Sequence, residues 1–300
     1  MPHDHADRTG NYNRSFALGV ALNGIYIAIE AGCGIYSGSL ALVADAGHNL
    51  SDVVSLLLAW GASVLARKAA TEKRTYGFRK ATVIASLASA ILLLVTLGGI
   101  AREALGRFSH PQHVAGEMVI VVAAIGVVIN TLTALLFVRD QKHDLNIKGA
   151  FLHMAADAAV SLGVVVAGIV IMVKGWLWID PGVSLVVVAI ILVGTWGLLR
   201  DSINHVMDVV PDRVDIVAVR DYLTGLDRVC RIHDLHVWPL STTEIALTVH
   251  LVVNGDTLDN DFLRDIQQQL HDHYGIEHAT IQVEAVTGQN DCMLDSHKCV

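Results

Sequence analysis

His48 and Asp52 form an H-x-x-x-D pair, and His153 and Asp157 form a second one. Residues four apart on a helix share a face, with side chains about 6 Å apart. Each pair therefore offers an imidazole and a carboxylate side by side. Two imidazoles and two carboxylates make an N₂O₂ set, which suits tetrahedral Zn²⁺. Mg²⁺ and Ca²⁺ favour oxygen donors alone and more of them. The competing reading is two hydrogen-bonded pairs that glue helices together. Asp45 lies one turn before His48, and either orients its ring from behind or is simply a polar residue near the outer mouth. Asn23, Glu30 and Asn130 are further polar residues in apolar surroundings.

Those surroundings decide how costly the pairs are. Hydrophobic residues make up 53% of the 300-residue chain and charged residues 17%, with a mean hydropathy of +0.51. Soluble domains carry about 25% charge, so an ordinary soluble enzyme is excluded. Six apolar runs are long enough to cross about 30 Å of hydrocarbon as helices: Phe16–Tyr36, Leu40–Ala66, Thr82–Phe108, Glu117–Val138, Lys148–Val173 and Ile179–Leu199. Ionisable groups inside such runs are expensive and point to function. At 1.5 Å per residue, His48 and Asp52 lie roughly 12 and 18 Å into the second run, and His153 and Asp157 roughly 7 and 13 Å into the fifth. Because the two runs cross in opposite directions, the motifs can meet slightly cytoplasmic of the midplane.

Orientation follows from basic residues in the loops. Arg8 and Arg14 precede the first run; Arg67, Lys68, Lys73, Arg74, Arg79 and Lys80 follow the second; Arg139, Lys142 and Lys148 follow the fourth. The other side has only Arg102, Arg107 and Lys174. Both termini are expected in the cytoplasm. Residues 201–300 hold six Lys and Arg against 17 Asp and Glu, so an acidic soluble domain follows a weakly basic membrane domain. That balance argues against nucleic acid as a partner. Cys33, Cys230, Cys292 and Cys299 show no disulfide spacing. Met1-Pro-His-Asp-His is polar rather than basic then apolar, so no cleaved signal peptide is expected and the first run should be a retained span.

In the last hundred residues, Asp215–Leu226 reads as a helix, Val229–Val237 and Glu244–Val253 as strands, Asp259–Tyr274 as an amphipathic helix and Ala279–Ala285 as a strand. The order αββαβ is a two-layer α+β domain. Alternation puts His250 opposite the apolar face of its strand, and puts His278, Thr280, Gln282 and Glu284 on one side. The expected organisation is a tail (1–15), a six-helix transmembrane domain (16–200), a linker (201–211), a cytoplasmic domain (212–287) and a C-terminal tail (288–300). His3, Asp4, His5, His297 and Cys299 read as parts of the two tails.

Six spans, the run Gly38-Ser-Leu-Ala-Leu-Val-Ala-Asp-Ala-Gly-His48, the paired H-x-x-x-D motifs and Ile232-His-Asp-Leu-His-Val-Trp238 resemble the cation diffusion facilitator family, most closely its bacterial zinc exporters. The resemblance covers about residues 14–292. It implies a homodimer in the inner (plasma) membrane that exports Zn²⁺, or Cd²⁺, Co²⁺ or Ni²⁺, in exchange for protons, and is not an enzyme. It implies a ferredoxin-like cytoplasmic domain in which His233, His250, His278, Glu284 and Cys292 bind regulatory zinc. Gln282 stands where another branch has His. It also implies a buried cross-dimer ion pair of Lys80 with Asp208. Arg74 and Phe78 occupy positions that are metal-binding His in some relatives, so no metal site is expected in the loop after the second span. Two other function classes compete: a membrane-anchored metal sensor and an intramembrane metalloenzyme. No H-E-x-x-H occurs, four ligands would close the coordination sphere, and a mere scaffold need not bear the desolvation cost of buried ligands.

Overall fold

The computed structural model describes residues 24–137, 145–254 and 260–285, with the backbone alone for 136–137 and 145–153. The described residues pack as two units, one drawn from 1–57 and 89–197, the other from 58–88 and 198–300.

Helix α1 covers 24–37, followed by α2 (Leu40–Ala66), α3 (Ala81–Ser109), α4 (Gly116–Phe137), α5 (Leu145–Lys174) and α6 (Ile179–Val206). The last five are long and apolar enough to cross a membrane. The start of the first predicted span, 16–23, lies outside the described residues. Helix α6 runs seven residues past the Leu199 at which the apolar run ends. Hydropathy marks where hydrocarbon ends, not where backbone hydrogen bonding ends, so Arg200 and Asp201 continue the helix into a polar setting.

In the first unit, Ala41, Leu42, Val119, Ala123 and Val164 form one buried cluster, and Ala44, Leu97, Ile100, Val187 and Ile191 another. Large apolar side chains elsewhere on these helices, such as Ile84, Val95, Val128 and Val193, are exposed, as lipid-facing residues must be. Small residues bring backbones together. A Cβ on Gly168 of α5 would stand 2.8 Å from Ile120 Cγ1 of α4.

Gly38 turns the chain between α1 and α2 with φ +71°, and a Cβ there would meet the His113 carbonyl at 2.7 Å. Only glycine combines that conformation with that approach.

The second unit holds α7 (Ile216–Thr224), β1 (Val229–Pro239), β2 (Ile245–Val253), α8 (Asn260–Tyr274) and β3 (His278–Ala285). Asp215 caps α7, its carboxylate accepting from Val217 and Ala218 backbone N–H at 3.0 and 3.1 Å. The sheet order is β1-β2-β3, with β1 antiparallel and β3 parallel to β2. The parallel pair is joined through α8, as parallel strands require a crossover. Leu223, Ile245, Leu247, Leu251, Ile266 and Leu270 form a core of this domain's own.

In the same unit, Arg74 of the segment after α2 lies over the Phe78 ring, 4.4 Å from its centroid. The Lys80–Asp208 pair is present at 2.5 Å, and Lys80 also donates to the His205 carbonyl at 3.3 Å. It forms within one chain, with side chains 42% and 55% exposed. Asp208 sits at φ +55° just past the end of α6, which turns its carboxylate back toward Lys80. Water screens such a pair to about 0–1 kcal/mol.

Candidate metal centres

The first centre joins α2 and α5. His48 Nε2 lies 3.6 Å from Asp52 Oδ2 on its own helix and 3.6 Å from Asp157 Oδ1 across the helix interface. The side chains of Asp157 and His48 are 6% and 14% exposed, that of Asp52 35%. The fourth expected ligand, His153, has its side chain outside the described residues; its backbone is one helical turn before Asp157 on α5. His48 and Asp157, one residue from each H-x-x-x-D motif, are thus brought together.

The two helices are held in register one turn further along. Ser161, four residues after Asp157, donates to Asp45 Oδ2 at 2.9 Å. Asp45 therefore acts on the helix–helix register and bonds α5, while its other oxygen, Oδ1, has no hydrogen-bond donor. Behind it, Tyr26 donates to Glu30 Oε1 at 2.9 Å and Asn49 to Glu30 Oε2 at 3.3 Å.

Sequence reasoning missed the group that starts α2. The Asp180 carboxylate accepts from the Ser39 hydroxyl at 2.5 Å, from Leu40 N–H at 2.8 Å and from Ala41 N–H at 3.4 Å. An α-helix leaves its first N–H groups unsatisfied, and a carboxylate there also meets the positive end of the helix dipole. Arg107 of α3 lies 3.6 Å from Asp180 and donates to the Gly38 carbonyl. Asp180 is 1% exposed. The sequence marked it only as part of an Asp-Pro-Gly break.

The second centre lies on the sheet. His233 of β1 faces His250 of β2 in register, their ring centroids 4.8 Å apart. Glu284 of β3 bridges them, Oε2 at 3.2 Å from His233 Nε2 and Oε1 at 2.9 Å from His250 Nδ1. One ligand atom from each of the three lies within 4.8 Å of the others. This is a set of two nitrogens and one oxygen in a buried place, with His233 and His250 8% and 6% exposed. His233 Nδ1 has no hydrogen-bond partner. These donors fit a divalent ion, and a merely solvated acidic surface would not bury two imidazoles.

Asp234 was also missed. A β-bulge between His233 and His236, with Asp234 at φ +52°, breaks the alternation of β1. It brings Asp234 Oδ2 to 3.7 Å from His250 Nε2 and Oδ1 to 2.9 Å from His236 Nε2. Gln282, opposite His250, donates to Glu284 Oε1 at 3.0 Å and so steadies the bridging carboxylate.

His278 does not join this centre. It begins β3, six residues before Glu284, about 20 Å away along a strand at roughly 3.3 Å per residue. It stands edge-on to Tyr76 with centroids 5.5 Å apart, on the wall of a 950 Å³ cavity lined also by Arg67, Lys68, Arg79 and Glu244. Cys292 lies outside the described residues.

Known proteins carry the same two-part plan. Residues 16–207 match the family model described as the cation efflux transmembrane domain, and 211–286 match the cation efflux protein cytoplasmic domain. The chain belongs to the cation efflux family. This cation efflux protein is 35% identical to the metal cation efflux system protein CzcD of Cupriavidus metallidurans over 285 residues, covering 94% of this chain and 89% of that one. It is 36% identical to the zinc transporter ZitB of Escherichia coli over 271 residues, 90% of this chain and 86% of that one. It is also 36% identical to the cadmium, cobalt and zinc/H(+)-K(+) antiporter of Bacillus subtilis, over 89% of this chain and 87% of that one. These relatives fall in the bacterial zinc and heavy-metal branch, and the family is one of transporters.

Proposed function

We propose that this protein is a proton-coupled antiporter that exports Zn²⁺, with Cd²⁺, Co²⁺ and Ni²⁺ as further candidate cargoes, from the cytoplasm across the inner membrane. The observation that carries the reading is the meeting of His48, Asp52 and Asp157 between two helices of spanning length. With His153 they make the transport site. Relatives named as zinc transporters and as a zinc/H(+)-K(+) antiporter support it.

The ligand chemistry supplies the coupling. Imidazole binds metal only when neutral, and its unperturbed pKa is about 6.5. Zinc arriving displaces protons from the site; protons arriving from an acidic exterior displace zinc. Rocking of α2 and α5 against other helices would open the site to one side at a time. In reconstituted vesicles carrying zinc and pH dyes, zinc flux should rise when the far side is acidified and collapse when the proton gradient is dissipated. Downhill zinc movement with no opposite proton movement would identify a channel or uniporter instead.

The termini lie in the cytoplasm in this reading, on the strength of the basic loops, and the protein works as a homodimer in the bilayer. His233, His250 and Glu284 hold a regulatory zinc, and Asp234 is a candidate fourth donor. Residues 207–300, which contain a core of their own, are expected to fold and dimerise alone, with zinc tightening the dimer because the folded state alone assembles the ligands. Calorimetry of that fragment with and without zinc is the check. An unchanged melting temperature would remove the regulatory role and leave a structural domain.

A further inference from the structure

The 950 Å³ cavity whose wall includes His278 has no part in either metal centre. It is a built space rather than a gap beside a loose loop. In the segment after α2, Thr71 and Arg74 exchange backbone hydrogen bonds, 3.0 Å each way. Gly77 turns the chain back at φ +67°, where a Cβ would stand 3.1 Å from the Lys68 carbonyl. The segment is then tied to the sheet domain. Arg79 lies 3.0 Å from Glu244, Thr242 N–H donates to the Thr82 hydroxyl at 3.1 Å, and Tyr76 stands edge-on to His278.

The charge of the wall is one-sided. Arg67, Lys68 and Arg79 line it, and Glu244 is the only carboxylate that does. Arg79 matches Glu244. Neither Arg67 nor Lys68 has an acidic partner among the described residues. Ser63 and Thr75 add hydroxyl groups to the same wall. Two unmatched cations and neutral donors around one space suit an anion with several oxygens, which is the chemistry of a phosphate group. The volume is within the range of about 300–1,000 Å³ usual for sites of small ligands.

The position of the cavity selects the source of that phosphate. Helices α2 and α3 are of spanning length, the first ending at Ala66 and the second beginning at Ala81. Ala66 and Thr82 are both on the cavity wall. Trp60 and Val64 are 70% and 50% exposed, and their spacing puts them on one face of α2 that leads to Arg67. A tryptophan beside an apolar face marks the level where hydrocarbon meets water, and basic pockets at that level take phospholipid headgroups. We propose that this cavity binds the phosphate of an anionic membrane lipid, with Arg67 and Lys68 holding the headgroup and the acyl chains lying along Trp60 and Val64. The opposite wall includes Ser241 and Thr243 of the turn between β1 and β2, so a bound headgroup links the end of α2 to the sheet domain. The site does not depend on the antiport reading.

Melting curves of the purified full-length protein test it. The setting is non-ionic detergent and about 0.3 M salt, where charges further apart than roughly 6 Å are screened. Short-chain phosphatidylglycerol should raise the melting point saturably, and the matching phosphatidylcholine should not. Arg67→Gln and Lys68→Gln should each raise the half-saturating lipid concentration about fivefold; if one variant fails to fold, the other decides. Lys73→Gln removes the same charge from the same segment but not from the cavity wall, and should leave that concentration unchanged. An equal loss in Lys73→Gln would reduce the effect to diffuse attraction and overturn the site, as would equal protection by phosphatidylcholine. Inorganic phosphate that protects as well as phosphatidylglycerol at the same concentration would overturn the lipid assignment and leave a site for free phosphate.

Discussion

Asp157→Ala is expected to abolish zinc efflux while the protein still inserts in the membrane. Asp157 is the only described ligand that reaches across from α5 to His48, at 3.6 Å and with its side chain 6% exposed. Removing it leaves an incomplete set of donors in low dielectric, where the lost partner is not replaced by water; such losses cost about 3–5 kcal/mol. At 1.4 kcal/mol per tenfold, this is a fall in zinc affinity on the order of 10² to several times 10³. His48→Ala, Asp52→Ala and His153→Ala should act in the same direction. The effect at Asp52 should be the smallest, since its side chain is 35% exposed and water can take its place. Zinc uptake into everted vesicles, scaled to protein inserted, is the measurement. Near-normal flux through Asp157→Ala would remove the pair of motifs from the transport site.

The second large effect concerns stability. Asp180→Ala should lower the melting point of the detergent-solubilised protein by more than any substitution at His48 or Asp157. The carboxylate satisfies one hydroxyl and two N–H groups at the start of α2, and stands 3.6 Å from Arg107. Loss of a helix cap alone costs about 0.5–2 kcal/mol; losing the charge beside Arg107, which keeps Glu103 and the Gly38 carbonyl, adds to that. Asp180→Asn keeps the shape and one acceptor and should fall between. Melting curves that coincide for wild type and Asp180→Ala would show that the cap is dispensable.

The parts of the site that are written locally were legible. An i,i+4 pair of His and Asp announces itself within five residues, and its depth in an apolar run follows from counting. The cap on α2 is not written locally. Asp180 acts 140 residues away from Leu40, and nothing around Asp-Pro-Gly distinguishes a turn residue from a partner for a distant helix end. On the sheet, alternation gave the face of His250 but not its burial. Residues on both faces of β2 are buried. Parity also grouped His278 with Glu284, because alternation reports the side of a strand and says nothing of distance along it. Asp234 escaped for a related reason, since a bulge suspends the alternation on which such reasoning depends. The Lys80 pairing with Asp208 is present within one chain.

The knot of Asp180, Arg107 and Gly38 ties the start of α2 to the start of α6 and the end of α3. By contrast α2 meets α5 through one hydrogen bond, Ser161 to Asp45, and through the candidate ligands His48 and Asp157. In the proposed antiport the site would work as a wrench whose pivot lies near that knot, with α2 and α5 as its jaws and the cargo as what they grip. In such a tool the width of the closed gap is set by the ion, so a cation too large or too small to draw Asp157 up to His48 fails to complete the closure. Discrimination among metals then resides in whether the jaws shut, as much as in how tightly any one donor binds.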